Sequence, residues 1–280
     1  MKVVVAGYGP VGQAVYHALE QHPGDVDVFI DDPQKGFNYT LGNFMSPVEA
    51  VIICVATPAL PDGRCDTSNV AAVLDKYHVN GVTKFLIKSA VDPKWLSDIH
   101  YTAIISSGTM GSILDMHYNL TYCPEFLGGS NMHRDTTAEF MGQKFAIYGG
   151  DACRFWDELF RPVLPELKDV RYTTLEQAAF SKYVENCFLA TKVTFFNEMY
   201  EIFNRCGFEG FDGMVEAITL DPRIGWSHTQ VPGPDGKFGY GGHCFPKDMA
   251  ALRTIAADVG QSSDLLDVVV ELNEKHRYSE

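Results

Sequence analysis

Short, continuous apolar runs recur through the first half of the chain, and helix-compatible segments separate them. The runs cover residues 3–6, 26–30, 50–55, 84–88 and 102–105. Runs this short and this rich in Val and Ile are typical of strands that helices cover on both faces. Their alternation with helical segments predicts an α/β fold built on a doubly wound parallel sheet of the Rossmann type.

The pattern becomes helical after two further predicted strands, at residues 144–148 and 170–172. A capping-box sequence begins at Thr174, and neither glycine nor proline follows until Gly207. We therefore predict a helix over residues 174–206, on the order of 45 Å long at about 1.5 Å per residue. The change of pattern predicts a sheet domain over residues 1–172, followed over residues 173–280 by this central helix and a small helical domain.

Composition narrows the classes of function. The 280 residues carry 22 Lys and Arg against 36 Asp and Glu, a formal charge of −14, which argues against a broad nucleic-acid surface. No apolar run approaches the roughly 20 residues that span a bilayer. The seven cysteines are odd in number and form no Cys-x-x-Cys pair, so we expect reduced thiols in a cytoplasmic compartment, without a disulfide framework or a metal site.

A glycine-rich turn follows the first predicted strand. Its sequence is Gly7-Tyr8-Gly9-Pro10-Val11-Gly12. Strand, tight turn and helix N-terminus together form the setting in which this pattern binds the pyrophosphate of a dinucleotide. Asp31, at the end of the second strand, is placed to bond the adenosine ribose hydroxyls and favours NAD over NADP. The alternative is that these glycines only make a tight turn.

Polar residues follow several predicted strands, at the edge where ligands collect in doubly wound sheets. Thr57 follows the third strand and Ser89 the fourth, so both are candidate cofactor-binding residues, although ordinary turn chemistry also explains them. Glu125 follows a proline in an apolar stretch, where a carboxylate is suited to act as a general base. An acidic residue at a helix start is the simpler alternative for Glu125.

The long predicted helix carries Lys182 and Asn186 on one face, four positions apart. Their neighbours on that face are small or apolar, and an ammonium group is costly to bury there unless it meets an anion or a polar ligand. The two residues are therefore candidates for a site. The alternative is that Lys182 extends its ammonium group to solvent.

The stretch from residue 239 to 248 contains the strongest chemical candidate. Cys244 follows a run of glycines and precedes Pro246 and a helix-compatible segment, which predicts that its sulfur lies at a helix N-terminus. The helix dipole and free N–H groups favour a thiolate there. Glycines let a substrate approach closely because they lack a Cβ atom. These features predict an activated cysteine in a dehydrogenase.

Taken in chain order, these motifs resemble the UDP-glucose and GDP-mannose dehydrogenases, a family that oxidises a sugar-nucleotide alcohol to a carboxylate. The matching pieces are Gly-Tyr-Gly-Pro-Val-Gly, Ile-Cys-Val-Ala-Thr-Pro, Cys-Pro-Glu-Phe-Leu, the Lys182 and Asn186 helix with its Phe-Phe-Asn-Glu continuation, Asp-Pro-Arg-Ile-Gly and Gly-Gly-His-Cys-Phe-Pro-Lys-Asp. They extend along nearly the whole chain. The first is generic, whereas the last, with a lysine-bearing helix upstream of it, is highly specific.

The resemblance implies a four-electron oxidation of a nucleotide sugar, UDP-glucose before others, that uses two NAD⁺ in succession. Cys244 would attack the intermediate aldehyde and pass through a thiohemiacetal to a thioester, which water hydrolyses. Lys182 and Asn186 would stabilise the oxyanion. Asp248 would orient Lys182 or a water, and Glu125 would take a proton during hydrolysis.

The motifs and the resemblance together define sets of ligand-binding candidates. The candidate cofactor-binding residues are Gly7, Gly9, Pro10, Val11, Gly12, Asp31, Thr57 and Ser89. The candidate substrate-binding residues are Phe126, Leu127, Arg223, Tyr240 and Gly241. The resemblance further implies that Arg223 contacts substrate across a homodimer built on the 174–206 helix.

Four departures from the family pattern bear on activity. Ala90 lacks the hydroxyl that the family usually has at this position, and Gly129 replaces a second expected glutamate. His243 stands where many UDP-glucose enzymes have serine, a form similar to the branch that acts on N-acetylated sugar nucleotides. The family also continues into a second nucleotide-binding domain, whereas this chain stops about where the connecting helix begins. The alternatives are a non-catalytic NAD-binding interaction protein, or a dehydrogenase of a smaller sugar phosphate.

Overall fold

The computed structural model describes residues 1–39, 48–78, 84–108, 119–127 and 135–278, with backbone alone for 101–108. The predicted Gly129 position lies outside these described residues. None of the helices in the described ranges is long and apolar enough to cross a membrane.

A seven-stranded sheet organises the first part of the described chain, with strand order β2-β1-β3-β4-β5-β6-β7. The strands are β1 Lys2–Ala6, β2 Asp27–Asp31, β3 Ala50–Ile53, β4 Lys84–Ile87, β5 Asn119–Tyr122, β6 Phe145–Gly150 and β7 Asp169–Thr173. All neighbouring strands are parallel except β5 and β6, which pair antiparallel. The predicted Rossmann-type α/β fold is confirmed.

Helices connect and follow the strands. Their bounds are α1 Pro10–Glu20, α2 Ser68–His78, α3 Pro93–Gly108, α4 Thr136–Met141, α5 Cys153–Phe160, α6 Leu175–Arg205, α7 Phe211–Ile218, α8 Cys244–Asp258 and α9 Asp264–Tyr278. The predicted central helix is therefore confirmed as α6, within a residue of each expected end. Its capping-box threonine, Thr174, accepts a hydrogen bond from the backbone N–H of Gln177 through its hydroxyl at 3.3 Å.

The strand predicted at residues 102–105 was wrong, because helix α3 runs through this segment. The helix begins after Asp92, whose Oδ1 atom accepts hydrogen bonds from the backbone N–H groups of Lys94 (2.7 Å) and Trp95 (3.2 Å). An N-cap of this kind, followed by proline at the first helical position, favours a helix over the local β propensity. The fifth strand lies later in the chain, at β5.

Alternation along the strands divides the core of the sheet between its two faces. In β1, Val3 and Val5 pack in one cluster with α1, whereas Val4 and Ala6 pack in another with α2 and the start of α6. Successive side chains of a strand point to opposite faces, so a fully apolar strand implies helices on both sides. This two-sided burial holds the carboxyl ends of the strands, and the residues after them, in place.

The chain divides into two compact units. Among the described residues, the first unit runs from Met1 to Lys182 apart from Pro61–Arg64, and the second comprises Pro61–Arg64 and the chain from Tyr183 onward. Helix α6 begins in the first unit and continues through the second. The second unit has two apolar clusters of its own, one around Cys187 and Met249 and one around Phe196 and Phe211.

Candidate active site

The glycine turn after β1 has a geometry that requires glycine at two positions. Gly7 has a φ of +91°, and a Cβ atom there would lie 2.7 Å from the carbonyl oxygen of Cys54. A Cβ atom on Gly12 would lie 2.0 Å from the carbonyl oxygen of Gly7. Gly9, by contrast, faces open space, with nothing within 4 Å of an added Cβ. The turn is therefore closely packed at Gly7 and Gly12 and open at Gly9.

Helix α1 starts at Pro10, directly after Gly9, which adopts an extended backbone and provides no side-chain cap. The first N–H groups of a helix have no partner within the helix, and the helix dipole adds positive potential at this end. An uncapped helix start behind an open glycine is suited to a pyrophosphate. The predicted cofactor residues Pro10, Val11 and Gly12 form this first turn.

Two consecutive aspartates at the end of β2 have different surroundings. Asp31, the predicted ribose-binding residue, is buried, and its carboxylate accepts hydrogen bonds from the Lys76 ammonium (2.6 Å) and the Tyr77 hydroxyl (2.7 Å). The Oδ2 atom of half-buried Asp32 accepts a hydrogen bond from the backbone N–H of Tyr8 in the glycine turn, at 2.8 Å. Asp32 was not among the predicted residues, and its only signal in the sequence was its position directly after Asp31.

The predicted residues Thr57 and Ser89 are both buried at the carboxyl edge of the sheet. The hydroxyl of Ser89 donates to the carbonyl oxygen of Val55 at 2.7 Å, and its backbone N–H bonds to the carbonyl of Ile53 at 3.3 Å. Ser89 therefore ties the residues after β4 to those after β3. Both residues remain predictions as cofactor contacts.

A buried ion pair joins the residues that follow β4 and β5. The ammonium of Lys88 lies 3.1 Å from Oε2 of Glu125, the predicted general base, and both side chains are almost fully buried. Burial disfavours the ammonium of Lys88, but the anionic forms of Cys123 and Glu125 outweigh this effect and raise the Lys88 pKa. Burial also raises the pKa of the Cys123 thiol, so this thiol is neutral near pH 7 and contributes a charge only at high pH; near pH 7 the counter-ion of Lys88 is the Glu125 carboxylate. Lys88 was absent from the predicted set.

Phe126 links two predicted residues of the first unit. Its backbone N–H donates to Oε1 of Glu125 at 3.0 Å, and its ring centroid lies 4.9 Å from the ammonium of Lys182. An ammonium group over an aromatic face is attracted by the ring quadrupole. Leu127, the next predicted substrate residue, is partly buried against the core of the sheet. Within this unit, the structure therefore brings Glu125 and Lys182 to the same phenylalanine.

In the second unit, Cys244 is the first residue of α8, so the predicted helix N-terminal position is confirmed. Its side chain is exposed, and His243 at the N-cap makes no capping hydrogen bond through its side chain. The first N–H groups of α8 are therefore not satisfied by this side chain. A thiol in such a position is accessible to an electrophilic carbon.

Asn186 and Asp248, both predicted site residues, form a buried pair in the second unit. The Nδ2 atom of Asn186 donates to Oδ2 of Asp248 at 2.5 Å, and the Lys247 ammonium lies 2.5 Å from Oδ1. Nearby, the thiol of Cys187 donates to the backbone carbonyl of Asp248 at 3.7 Å. Burial, together with the charge of Asp248, raises the pKa of Cys187 to about 12. The Asp248 carboxylate therefore has a defined orientation on the helix that begins at Cys244.

The predicted substrate residue Arg223 lies on an exposed loop after α7. Its guanidinium pairs with Asp221, with Nη2 2.6 Å from Oδ2. The loop is anchored by a residue that the sequence did not indicate: the ammonium of Lys192 donates to the backbone carbonyls of Ile224 (2.8 Å), Gly225 (2.9 Å) and Ser227 (2.6 Å). Burial lowers the pKa of Lys192. Lys192 thus ties the Arg223 loop to α6.

Tyr240 and Gly241, the remaining predicted substrate residues, lie in the loop before α8. The Tyr240 ring is buried in the apolar cluster that contains Cys187, Ala190, Met249 and Val269. Gly241 is partly buried. As substrate contacts, both remain predictions.

Comparison with known families shows matches in both units. Residues 34–142 match the NAD binding domain of the UDP-glucose/GDP-mannose dehydrogenase family, and residues 176–275 match the central domain of the same family. The two matches are in family order and in agreement with the resemblance of the motifs.

Individual relatives agree with these matches. UDP-glucose 6-dehydrogenase TuaD of Bacillus subtilis is 30% identical over 252 residues, covering 88% of this chain and 50% of that protein. UDP-glucose 6-dehydrogenase of Rickettsia bellii is 31% identical over 232 residues, covering 81% and 49%. A UDP-glucose dehydrogenase structure from Pyrobaculum islandicum aligns with a TM-score of 0.73 and 24% identity, over 98% of this chain and 68% of that chain. The chain spans about half the length of the curated relatives it matches.

Proposed function

Because this chain belongs to the UDP-glucose/GDP-mannose dehydrogenase family, we propose that it oxidises the C6 alcohol of a nucleotide sugar to the carboxylate with NAD. UDP-glucose is the first candidate, since the curated relatives above are UDP-glucose 6-dehydrogenases. One observation carries the proposal: Cys244 is exposed at the first position of a helix that also bears Asp248, buried and paired with Asn186.

The first unit holds the cofactor in this proposal. The open turn at Gly9 and the uncapped start of α1 receive the pyrophosphate, and Asp32, with Asp31 as the alternative, bonds the adenosine ribose. Thr57 and Ser89, which follow β3 and β4 at the carboxyl edge of the sheet, are proposed to lie beside the nicotinamide. A bound NAD⁺ would serve as the two-electron acceptor, with one NAD⁺ consumed in each of the two successive oxidations.

The second unit supplies the nucleophile. The Cys244 thiolate adds to the aldehyde carbon produced by the first oxidation, forming a C–S bond and a thiohemiacetal. The second oxidation converts this adduct to a thioester on Cys244. Water then adds to the thioester carbonyl, the C–S bond breaks, and the carboxylate product leaves with the Cys244 thiolate restored.

Different polar groups stabilise the developing charge and transfer the proton. Lys182 and Asn186 stabilise the oxyanion that forms on the substrate, since cationic and amide donors act strongly in a site from which water is excluded. Asp248 keeps the Asn186 amide oriented through their hydrogen bond of 2.5 Å. Glu125 takes the proton from the attacking water, and Lys88 balances its charge in a buried setting.

Substrate contacts and assembly complete the proposal. Phe126, Leu127, Tyr240, Gly241 and Arg223 are proposed to contact the nucleotide sugar, with Arg223 acting across a cytoplasmic homodimer. A dimer through α6 is supported by three exposed apolar side chains at seven-residue intervals, Phe188, Phe195 and Ile202. Apolar side chains with this spacing form a seam along a helix, and water contact with them is unfavourable.

A second candidate function is NAD binding without turnover. Ala90 favours it, because this position lacks the hydroxyl expected beside the cofactor. A dehydrogenase that acts on a smaller sugar phosphate is a further alternative, intermediate between nucleotide-sugar oxidation and NAD binding without turnover.

The deciding experiment measures NADH formation with UDP-glucose, UDP-N-acetylated sugars, GDP-mannose and simple sugar phosphates, for the natural chain and Cys244→Ala. We expect two NADH per nucleotide sugar, and loss of the second oxidation in the variant. Cys206→Ala removes the other exposed thiol and serves as the matched control. NAD binding without turnover of any nucleotide sugar would overturn the proposal in favour of the second candidate.

A further inference from the structure

The loop that leads into Cys244 is held by side chains from two helices that lie far from it in sequence. The backbone N–H of Gly239 donates to Oδ1 of Asn197, on α6, at 2.9 Å. Asn273, on α9, holds both backbone groups of Tyr240: its Oδ1 accepts from the N–H at 2.6 Å, and its Nδ2 donates to the carbonyl at 3.1 Å. Both asparagines are buried, as are Gly239 and Tyr240, so bulk water does not compete for these bonds.

Arg277, one helical turn after Asn273, packs against the same loop. Its Nη1 atom donates to Oδ2 of Asp235 at 2.8 Å. A Cβ atom on Gly241 would lie 2.3 Å from its Nη2 atom. A Cβ atom on Gly239 would lie 2.5 Å from Oδ1 of Asn273. The glycines here thus make room for the side chains of α9, which was not the reason that the sequence suggested.

The clamped backbone connects directly to the start of α8. The buried ring of Tyr240 stacks edge-on against Phe245, with centroids 6.2 Å apart, and packs in the same apolar cluster as Met249. Phe245 is the residue after Cys244. Movement of Tyr240 therefore displaces the first turn of the helix that presents the sulfur.

We propose that Asn273 and Arg277 are positioning residues, which act through the loop of residues 239–242 to place the Cys244 thiol for attack. Neither side chain needs to touch substrate or cofactor. The catalytic part of this inference rests on the proposed function, whereas the clamp on the loop is independent of it. Loss of the Asn273 amide leaves two buried backbone groups of Tyr240 without partners, so the loop has to open or shift.

The test uses the full chain with Asn273→Ala, Asn273→Asp and Arg277→Met, and with Glu271→Ala on the exposed side of the same helix as the control. Hydrogen exchange of the peptide that contains Tyr240 reports on the clamp. Alkylation of Cys244 relative to exposed Cys206 reports on the thiol. The kinetic parameters kcat and KM report on catalysis, and circular dichroism tests whether each variant is folded.

For Asn273→Ala and Arg277→Met we expect exchange about 10-fold faster or more, and kcat about 10- to 100-fold lower with KM changed far less, as small displacements of a reacting group produce. The Cys244 to Cys206 alkylation ratio is expected to change about threefold or more. Asn273→Asp retains an acceptor for the N–H of Tyr240, so we expect its effects to lie between those of Asn273→Ala and the natural chain. If Asn273→Ala does not fold, Asn273→Asp is the variant that tests the proposal.

Unchanged exchange and alkylation in folded Asn273→Asp and Arg277→Met would overturn the clamp. Faster exchange with an unaltered alkylation ratio and kcat would overturn the link to Cys244. Absence of turnover in the natural chain defeats the proposed function alone, because exchange and alkylation still decide the present inference.

Discussion

Two glycine turns precede helix N-termini in this protein, and they are stabilised by different means. In the first unit, Gly7 and Gly12 are enclosed by backbone atoms, the carbonyls of Cys54 and of Gly7 itself. In the second, Gly239 and Gly241 are enclosed by the side chains of Asn273 and Arg277. The first turn is thus a property of backbone geometry, and its glycine pattern has the same form wherever it occurs. The second depends on particular side chains of a distant helix.

The largest expected effect is on stability and concerns the buried ion pair between Lys88 and Glu125 in the first unit. Lys88→Met leaves the Glu125 carboxylate buried without its counter-ion, so we expect the free energy of unfolding to fall by about 3–5 kcal/mol. Urea denaturation measures it. Lys275→Met breaks the exposed pair with Glu271 and is the matched control, with little expected effect. Equal loss in both variants would contradict the assigned role of Lys88.

Next in size is a substitution in the first turn. Gly12→Ala places a methyl group against a backbone carbonyl that has no room to move, so we expect NAD affinity to fall about 100-fold, equivalent to about 2.7 kcal/mol. Gly9→Ala enters open space, so the turn should keep its fold, and a loss of affinity in this variant would come from the methyl group in the proposed pyrophosphate site. Titration calorimetry measures both. A folded Gly12→Ala protein with natural affinity would break the contrast between the two turns.

The second turn is expected to behave differently. Gly239 has a φ of +68°, so Gly239→Ala costs about 1–2 kcal/mol in backbone strain, plus its clash with Asn273. Because that clash involves a side chain, we expect Gly239→Ala to lower the unfolding midpoint less in an Asn273→Ser background, compared with Asn273→Ser alone, than in the natural chain. No second-site change of this kind should restore Gly12→Ala. Absence of any relief for Gly239→Ala would mean that the strain comes from the backbone alone.

A smaller effect separates Asp31, the last residue of β2, from Asp32, which follows it. Asp32→Asn removes the carboxylate that touches the glycine turn, so we expect NAD affinity to fall about 10-fold. Asp31→Asn instead weakens the buried contacts with Lys76 and Tyr77, and we expect a loss of about 1–3 kcal/mol in stability with a lesser change in affinity. The reverse pattern, with affinity lost in Asp31→Asn alone, would return the ribose contact to Asp31.

The effect that is smallest near neutral pH is the pH dependence of stability in the second unit. The folded-state pKa of Cys187 is about 12, above the value of about 8.5 for an unfolded thiol, so the unfolded chain releases this proton first as pH rises. The contribution of Cys187 to stability is thus complete below about pH 8.5 and decreases above it, by at most about 1.4 kcal/mol per pH unit. Cys187→Ala should make the decrease shallower in urea denaturation from pH 8 to 11, whereas Cys206→Ala should not.

Parts of the fold and of the site followed from local patterns. The apolar runs predicted every strand of the sheet except β5, and the capping box with a long span free of Gly and Pro predicted α6. The position of Cys244 at a helix start also followed from its neighbours. Residues 102–105 show the limit, because their β-branched side chains suggested a strand while a cap ten positions earlier began a helix.

By itself, the sequence determined most of the strands, the long helix α6, the glycine turn after the first strand, and the thiol that lies at a helix N-terminus. Tertiary structure alone decided that Lys88 meets Glu125, that the carboxylate of Asp32 rather than that of Asp31 bonds the glycine turn, and that side chains of α9 hold the loop before Cys244. The reason is physical. Backbone propensity and side-chain periodicity act over a few residues, whereas the two hydrogen bonds between Asn273 and Tyr240, 33 positions apart, leave no periodic trace in the chain.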